Sequence, residues 1–259
     1  MSVSSMRLKD KVCAITGAGS GIGEAAARLF AAEGARVLVL EIDATEGRRV
    51  ADDIGSRAAF LHLDVSDPTA VAEAFRRIDT DYGRLDGLYN NASIFLGDRD
   101  ASVADLDLDV YQRVIACNQH GVVYCCKFAI PLLERDGGGT IVNTASSAAI
   151  SGVPGCDAYT ASKGAAMALS RALAVAYAPR GIRVNCIAPA GISTPMIQQS
   201  NLGDPNFDEK AFLDKTPVRR WGRPEDIAQV ALFLTSDASS YVNGAVVVAD
   251  GGITVTPMF

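Results

Sequence analysis

Short apolar runs rich in β-branched residues alternate along this chain with alanine-rich stretches whose apolar positions recur every three or four residues. The first kind, Val12 to Thr16, Val37 to Leu40, Ala58 to Leu63, Gly87 to Tyr89, Thr140 to Thr144, Arg183 to Ile187 and Ala245 to Val248, reads as seven strands bounded by Gly, Asp or Asn. Several are apolar at consecutive positions, as strands covered on both faces must be. The second kind predicts helices over roughly 22–33, 45–54, 69–82, 108–134, 158–178 and 224–235. Pro224, followed by Glu225 and Asp226, marks the start of the last one, because acidic residues suit the positive end of a helix. Strand–helix alternation is the pattern of βαβ units, so a parallel sheet in one domain, 1–259, is expected. No repeat or low-complexity linker divides it. The exception to compactness is about 190–217, where Pro195, Gly203, Pro205 and Pro217 interrupt isolated apolar residues, and a lid is expected there.

Composition narrows the function classes. Hydrophobic residues make up 49% of the 259 and charged residues 21%, which excludes a disordered chain and a coiled coil. A net charge of -6, from 24 basic and 30 acidic residues, argues against a nucleic-acid partner, since neutralising phosphates needs a basic surplus. No apolar run reaches the ~18 residues that cross a bilayer, and the polar start Met1 to Lys11 lacks a signal-peptide pattern. A cytoplasmic protein without a membrane partner is expected. Six cysteines show no Cys-x-x-Cys spacing and sit mostly in apolar runs, so they read as reduced thiols, with no metal site.

Directly after the first predicted strand comes Thr16-Gly17-Ala18-Gly19-Ser20-Gly21-Ile22-Gly23, leading into a helix. Glycines at such a turn let backbone approach a ligand, and free N–H groups at the helix start attract a pyrophosphate, so a nucleotide is implied. The loop is not a literal GxGxxG, because position 22 is Ile, and not a P-loop, because no Gly-Lys-Ser/Thr closes it. Glycines kept for packing alone would leave a similar string. The second strand ends at Leu40-Glu41-Ile42-Asp43, close to the position, about 20 residues past the first glycine, that holds an adenosine ribose. Glu41 is expected to bind the ribose hydroxyls and repel the 2′-phosphate of NADP, while position 20, where an Arg could meet that phosphate, is Ser. NAD is the expected cofactor. By spacing alone, a solvated strand-end charge would look the same.

Farther on, Thr140 to Ser146 reads as a strand ending at a serine, and Ala158-Tyr159-Thr-Ala-Ser-Lys163 opens a helix. Tyr159 and Lys163, four apart, project from one helical face. A phenol is a poor base at neutral pH, but an ammonium ~4 Å away at an effective ε of about 20 contributes ~4 kcal/mol, enough to lower its pKa by up to about 3. A Tyr-x-x-x-Lys pair by itself describes many amphipathic faces.

In their order, these residues resemble the short-chain dehydrogenase/reductase family: the Thr16 to Gly23 loop, Asp64-Val65, Asn90-Asn91-Ala92, Asn118, Ser146, Tyr159 and Lys163. The resemblance continues through Asn185 to Met196, Arg223-Pro224-Glu225-Asp226 and Asp250-Gly251-Gly252, and so covers essentially the whole chain. It implies a Rossmann-type, doubly wound α/β fold: a seven-stranded parallel sheet with helices on both faces. The implied activity is NAD-dependent interconversion of a secondary alcohol and a ketone. By position, Tyr159 is the implied general acid/base and Ser146 polarises the reacting oxygen. Lys163 binds the nicotinamide ribose and depresses the Tyr pKa, and Asn118 holds a water linking Lys163 to solvent. Gly17, Ser20, Gly21, Ile22, Gly23, Glu41, Asp64, Val65, Asn91, Ala92, Pro189, Ile192 and Thr194, with Tyr159 and Lys163, match dinucleotide-contacting positions. Ser146 precedes Tyr159 by the family's usual 13 residues, which sets Ser147 aside.

Two departures stand out. The family's Asn-Asn-Ala-Gly ends here in Ser93, expected to cost backbone freedom, and its Pro-Gly is Pro189-Ala190, expected to reshape the nicotinamide pocket. His120, two residues past Asn118, is expected to point away, because residues two apart do not share a helical face. The resemblance places the substrate walls at Ile94, Phe95, Ala148, Ile150, Val153 to Cys156, Met196, Ile197, Phe207, Phe212 and Leu213. None is charged, so a neutral, compact cyclic or aromatic alcohol or diol is expected as the small-molecule partner. A 3-oxoacyl thioester reductase and a catalytically inactive NAD-binding regulatory protein are the alternatives. A serine hydrolase fails, because neither Ser20 nor Ser146 lies in a GxSxG and the only histidines are His62 and His120. A homotetramer is expected through the 108–134 and 158–178 helices, the second carrying Ala161, Ala165, Ala168, Ala172 and Ala176 at close-packing spacing.

Overall fold

In the computed structural model, which describes residues 6–200 and 207–256, all seven strands form. They are β1 (Val12–Thr16), β2 (Arg36–Glu41), β3 (Ala58–His62), β4 (Gly87–Asn90), β5 (Gly139–Thr144), β6 (Ile182–Pro189) and β7 (Val246–Ala249). Every pairing is parallel, in the order β3-β2-β1-β4-β5-β6-β7. The connecting helices are α1 (Gly21–Ala32), α2 (Ala44–Ile54), α3 (Pro68–Tyr82), α4 (Leu108–Ile115), α5 (Gly121–Arg135), α6 (Asp157–Tyr177), α7 (Pro195–Gln199), α8 (Glu209–Lys215) and α9 (Pro224–Thr235).

The unbroken apolar runs have a simple cause. Val12 and Ala14 of β1 and Leu38 and Leu40 of β2 join the core under α3 and α5. Their neighbours Cys13, Ile15, Val37 and Val39 join the opposite core, under α1, α2 and α9. Side chains alternate across a strand, so two buried faces require apolar residues at every position. Strand order reverses between β1 and β4, and such a switch point opens a crevice at the carboxyl ends of the strands. Of the cysteines, Cys13, Cys125 and Cys126 lie buried in these two cores, and all six carry free thiols. Among the described residues no helix is long and apolar enough to cross a membrane.

One expectation changes: the helix anticipated over 108–134 is α4 and α5 joined by a π turn, Ala116–His120. Segment 190–217, where a lid is expected, holds α7 and α8. Residues 201–206 of the expected lid lie outside the described residues.

Candidate active site

Where β1 and β4 diverge, a cleft of about 420 Å³ runs from the glycine loop to Met196 and Ile197. Gly17 and Gly21 hold φ values of +63° and +52°, which side chains rarely adopt, and a Cβ on Gly17 would come within 2.7 Å of Ala92 Cα. Ser20 caps α1 without a side-chain hydrogen bond, leaving the first-turn N–H groups open to an anion. The Glu41 carboxylate accepts the N–H groups of Gly19 (2.9 Å), Ile42 (2.8 Å) and Asp43 (3.1 Å), tying the loop to the end of β2. Arg49 reaches Gly19 O at 3.1 Å but commits its guanidinium to Glu24 and Glu46. Asn91 donates to Gly17 O at 3.0 Å and Thr16 O at 3.3 Å, so its carboxamide buttresses the loop from behind. A glycine cradle, an uncapped helix end and an acid at the tip of the second strand fit a dinucleotide.

The reacting end is assembled by β5 and α6. Lys163, 2% exposed, donates to Thr144 O at 3.0 Å and lies 5.5 Å from the centre of the Tyr159 ring. Burial pulls its ammonium down to about 8. Burial pushes the Tyr159 phenol up to about 12, opposed by the hydroxyls of Ser146 and Ser93. The expected depression of the phenol by Lys163 is therefore not produced by the chain alone: the ammonium sits over the ring face and burial dominates. Ser146 Oγ accepts from Ala148 N at 3.2 Å, and Phe95 packs its ring 4.9 Å from that of Tyr159.

Two clamps hold this end. Cys156 stands at the N-cap of α6 and makes no side-chain cap, and Asp100, 7% exposed, supplies one from afar. Its carboxylate accepts the N–H of Ala158 at 3.1 Å and of Tyr159 at 2.9 Å. Asn118, in the π turn, accepts from Ile94 N at 2.8 Å and donates to Ile94 O at 2.9 Å and Ser162 Oγ at 3.2 Å. Its carboxamide thus fixes the chain beside the cleft, and Asn118 is not among the cleft-lining residues.

Gly17, Ser20, Gly21, Ile22, Glu41, Asp64, Val65, Asn91, Ala92, Pro189, Ile192 and Thr194 line the cleft together with Ser146, Tyr159 and Lys163. So do Ile94, Phe95, Ala148, Val153, Cys156, Met196 and Ile197. Gly23 does not: a Cβ there would lie 2.0 Å from Gly17 O, so this glycine serves loop-to-helix packing. Ile150 is also misplaced, because it follows the short helical turn Ser147–Ala149 and is 42% exposed. Phe207 and Phe212 gather on Trp221, the Phe212 and Trp221 rings stacked at 4.7 Å, and neither these two nor Leu213 lines the cleft. His120 is exposed beside Tyr124, facing away as expected. Ser93 and Ala190 carry no positive φ, so neither costs backbone strain, and the left-handed position is Gly191, at φ +57°. Asp100 escaped the sequence reading, although α6 lacks a Ser, Thr, Asp or Asn at its cap, and a missing local cap points to a distant one.

A family profile described as enoyl-(acyl carrier protein) reductase matches residues 17–254. The chain is 38% identical over 252 residues to meso-2,3-butanediol dehydrogenase of Serratia marcescens, covering 97% of both chains. It is 36% identical over 255 residues to cyclohexanol dehydrogenase of an Acinetobacter species, covering 97% of this chain and 98% of the relative. Among solved structures, 3-ketoacyl-(acyl-carrier-protein) reductase from Brucella melitensis complexed with NADH superposes with a TM-score of 0.88 at 32% identity, over 95% of this chain and 99% of that one.

Proposed function

The chain belongs to the short-chain dehydrogenase/reductase family and acts on alcohol and ketone groups, and from that premise we propose that it oxidises a neutral, compact, cyclic or vicinal-diol secondary alcohol with NAD. The observation that carries this is one cleft in which Ser146, Tyr159 and Lys163 meet apolar walls at one end and Glu41 stands at the other. Among the described residues, Lys163 is the one charged side chain that lines the substrate end. Apart from it, an anionic acyl carrier would find no cationic partner among them. The ketoacyl reductase neighbour supports a thioester ketone as the second reading, and the same assays separate the two.

The glycine loop and the open end of α1 would hold the pyrophosphate, Glu41 the adenosine ribose, and Lys163 and Tyr159 the nicotinamide ribose. Bound NAD would supply the hydride acceptor. Ser146 donates to the reacting oxygen and holds it against Tyr159, whose phenolate takes the hydroxyl proton during oxidation. The Lys163 ammonium, with a pKa of about 8, is charged at pH 7 and stands 5.5 Å from the centre of the Tyr159 ring. Tyr159→Phe should lower kcat by about a thousandfold or more while NAD still binds. Wild-type kcat in that variant, or faster turnover of an acyl thioester than of cyclohexanol or 2,3-butanediol, would displace the proposal.

We also propose a homotetramer. Leu108 on α4 and Val175 on α6 are 70% and 80% exposed, and Ala161, Ala168, Ala172 and Ala176 lie on the outer face of α6. Such patches suit contact between copies. Sedimentation equilibrium at micromolar concentration should give four copies, and a monomer would refute it.

A further inference from the structure

Ser93 and Ala190 are the two cleft-lining positions where a side chain stands in place of a glycine of the related sequence pattern, and of the two only Ser93 brings a hydroxyl. Its backbone has little freedom. On one side Asn91 N and Ala92 N both donate to Thr16 Oγ1 at 3.1 Å, and on the other Ile94 is gripped through both N–H and C=O by Asn118. Held this way, Ser93 lines the cleft together with Ser146 and Tyr159. Its hydroxyl is buried from solvent and has no hydrogen-bond partner among the described residues. An unpaired buried hydroxyl carries a desolvation penalty of about 1–3 kcal/mol, which a bond formed during the reaction would remove.

We propose that Ser93 is a positioning residue for the general base, its Oγ donating a hydrogen bond to the Tyr159 oxygen as that oxygen becomes a phenolate. This rests on the assignment of Tyr159 as the base and adds a second serine to the one already given to the reacting oxygen. Ser146 is tethered to Ala148 N and serves the substrate, whereas Ser93 has no competing partner among the described residues and serves the phenol. Both hydroxyls pull the phenol down against burial, Ser146 more than Ser93, so the Ser93 bond adds to one that Ser146 also offers. The other titratable groups facing Tyr159 are Lys163 on its own helix, Cys156 ahead of it and Asp100 on its N–H, with Cys117 and Cys186 beyond the ammonium.

A hydrogen bond to a charged oxygen is worth about one pH unit in the titration of that group. Ser93→Ala and Ser93→Gly should therefore each raise the acid limb of kcat/KM for alcohol oxidation by about one pH unit, and Ser93→Thr should restore it. The readout that does not depend on turnover is the phenolate absorbance near 295 nm of NAD-saturated enzyme, taken as the difference from NAD-saturated Tyr159→Phe. The Tyr159 titration should move upward with the kinetic limb. An unmoved titration in both Ser93→Ala and Ser93→Gly overturns the proposal, as does a lower kcat with the limb in place, which is what a purely structural role would give. If Tyr159→Phe keeps turning over, the assignment of the base fails instead.

Discussion

Helices α1 and α6 both begin at the cleft, yet their amino ends are finished in opposite ways. At α1 the cap residue Ser20 makes no side-chain bond, glycines keep side chains off the turn, and the nearby carboxylate of Glu41 is drawn to the loop backbone. At α6 a buried carboxylate, Asp100, takes the N–H groups of Ala158 and Tyr159, and a buried ammonium lies one turn farther on. A helix end left open is an anion receptor, and one closed from a distance becomes a rigid mount. The first suits a ligand that comes and goes. The second suits a side chain whose oxygen must stay within reach of a reacting atom.

If the closed end is arranged for chemistry at the expense of stability, removing its buried charge should strengthen the fold. Burial lowers the Lys163 pKa from 10.5 to about 8, so between those values the unfolded chain binds more protons and stability rises with pH. Below about 8 the penalty is fully present. Lys163→Met should therefore stabilise the protein at pH 7 by about 1–3 kcal/mol in urea unfolding, after loss of the bond to Thr144 O, while turnover collapses. The advantage should shrink from pH 8 to 10.5, and a variant less stable at pH 7 would show that the ammonium is a net contributor. Asp100→Ala opens the mount: we expect a loss of about 1–3 kcal/mol and a kcat about tenfold lower, with KM for NAD unchanged. Asp100→Asn, which keeps one acceptor oxygen, should fall between. If KM for NAD moves as far as kcat, Asp100 acts on the open end as well. The smallest effect belongs to that end, where Glu41→Ala should cut the preference for NAD over NADP by about tenfold, close to 1.4 kcal/mol. An unchanged preference would pass the role to another residue.

The open end was legible in the sequence and the closed end only partly so. Gly17, Gly21 and Glu41 are dictated by backbone conformation and charge at fixed spacing from β1, and such constraints leave few substitutes. Tyr159 and Lys163 could be read for the same reason, being one helical turn apart. Asp100 lies 58 and 59 positions from the N–H groups it caps, a contact that exists only once the fold is made. Ser93 showed as a missing glycine, but whether its hydroxyl would find a partner depends on neighbours that the spacing does not specify. The apolar walls were read with mixed success, because pocket and core use the same side chains: Met196 and Cys156 reached the cleft, while Phe212 stacked on Trp221. Helices α7 and α8, of 5 and 7 residues, are too short to display a period. The π turn left no mark because it changes hydrogen-bond partners and not composition.

That turn also fixes how the chain can change length. Residues Ala116–His120 hold one more residue than a regular helical path would, and α5 departs from there to cover β4 and β5. Five residues of π turn sweep about the same rotation as four residues of α-helix, so deleting one of the five would leave α5 facing the sheet, with Val122, Cys125, Cys126 and Ala129 still in the core. A further inserted residue finds no such slack and would turn α5 by about 100° relative to α4, swinging those four side chains toward solvent. Asn118 sits inside the turn, so a deletion there is felt first at its bonds to Ile94. This stretch can lose a residue and keep its packing, but it cannot gain one.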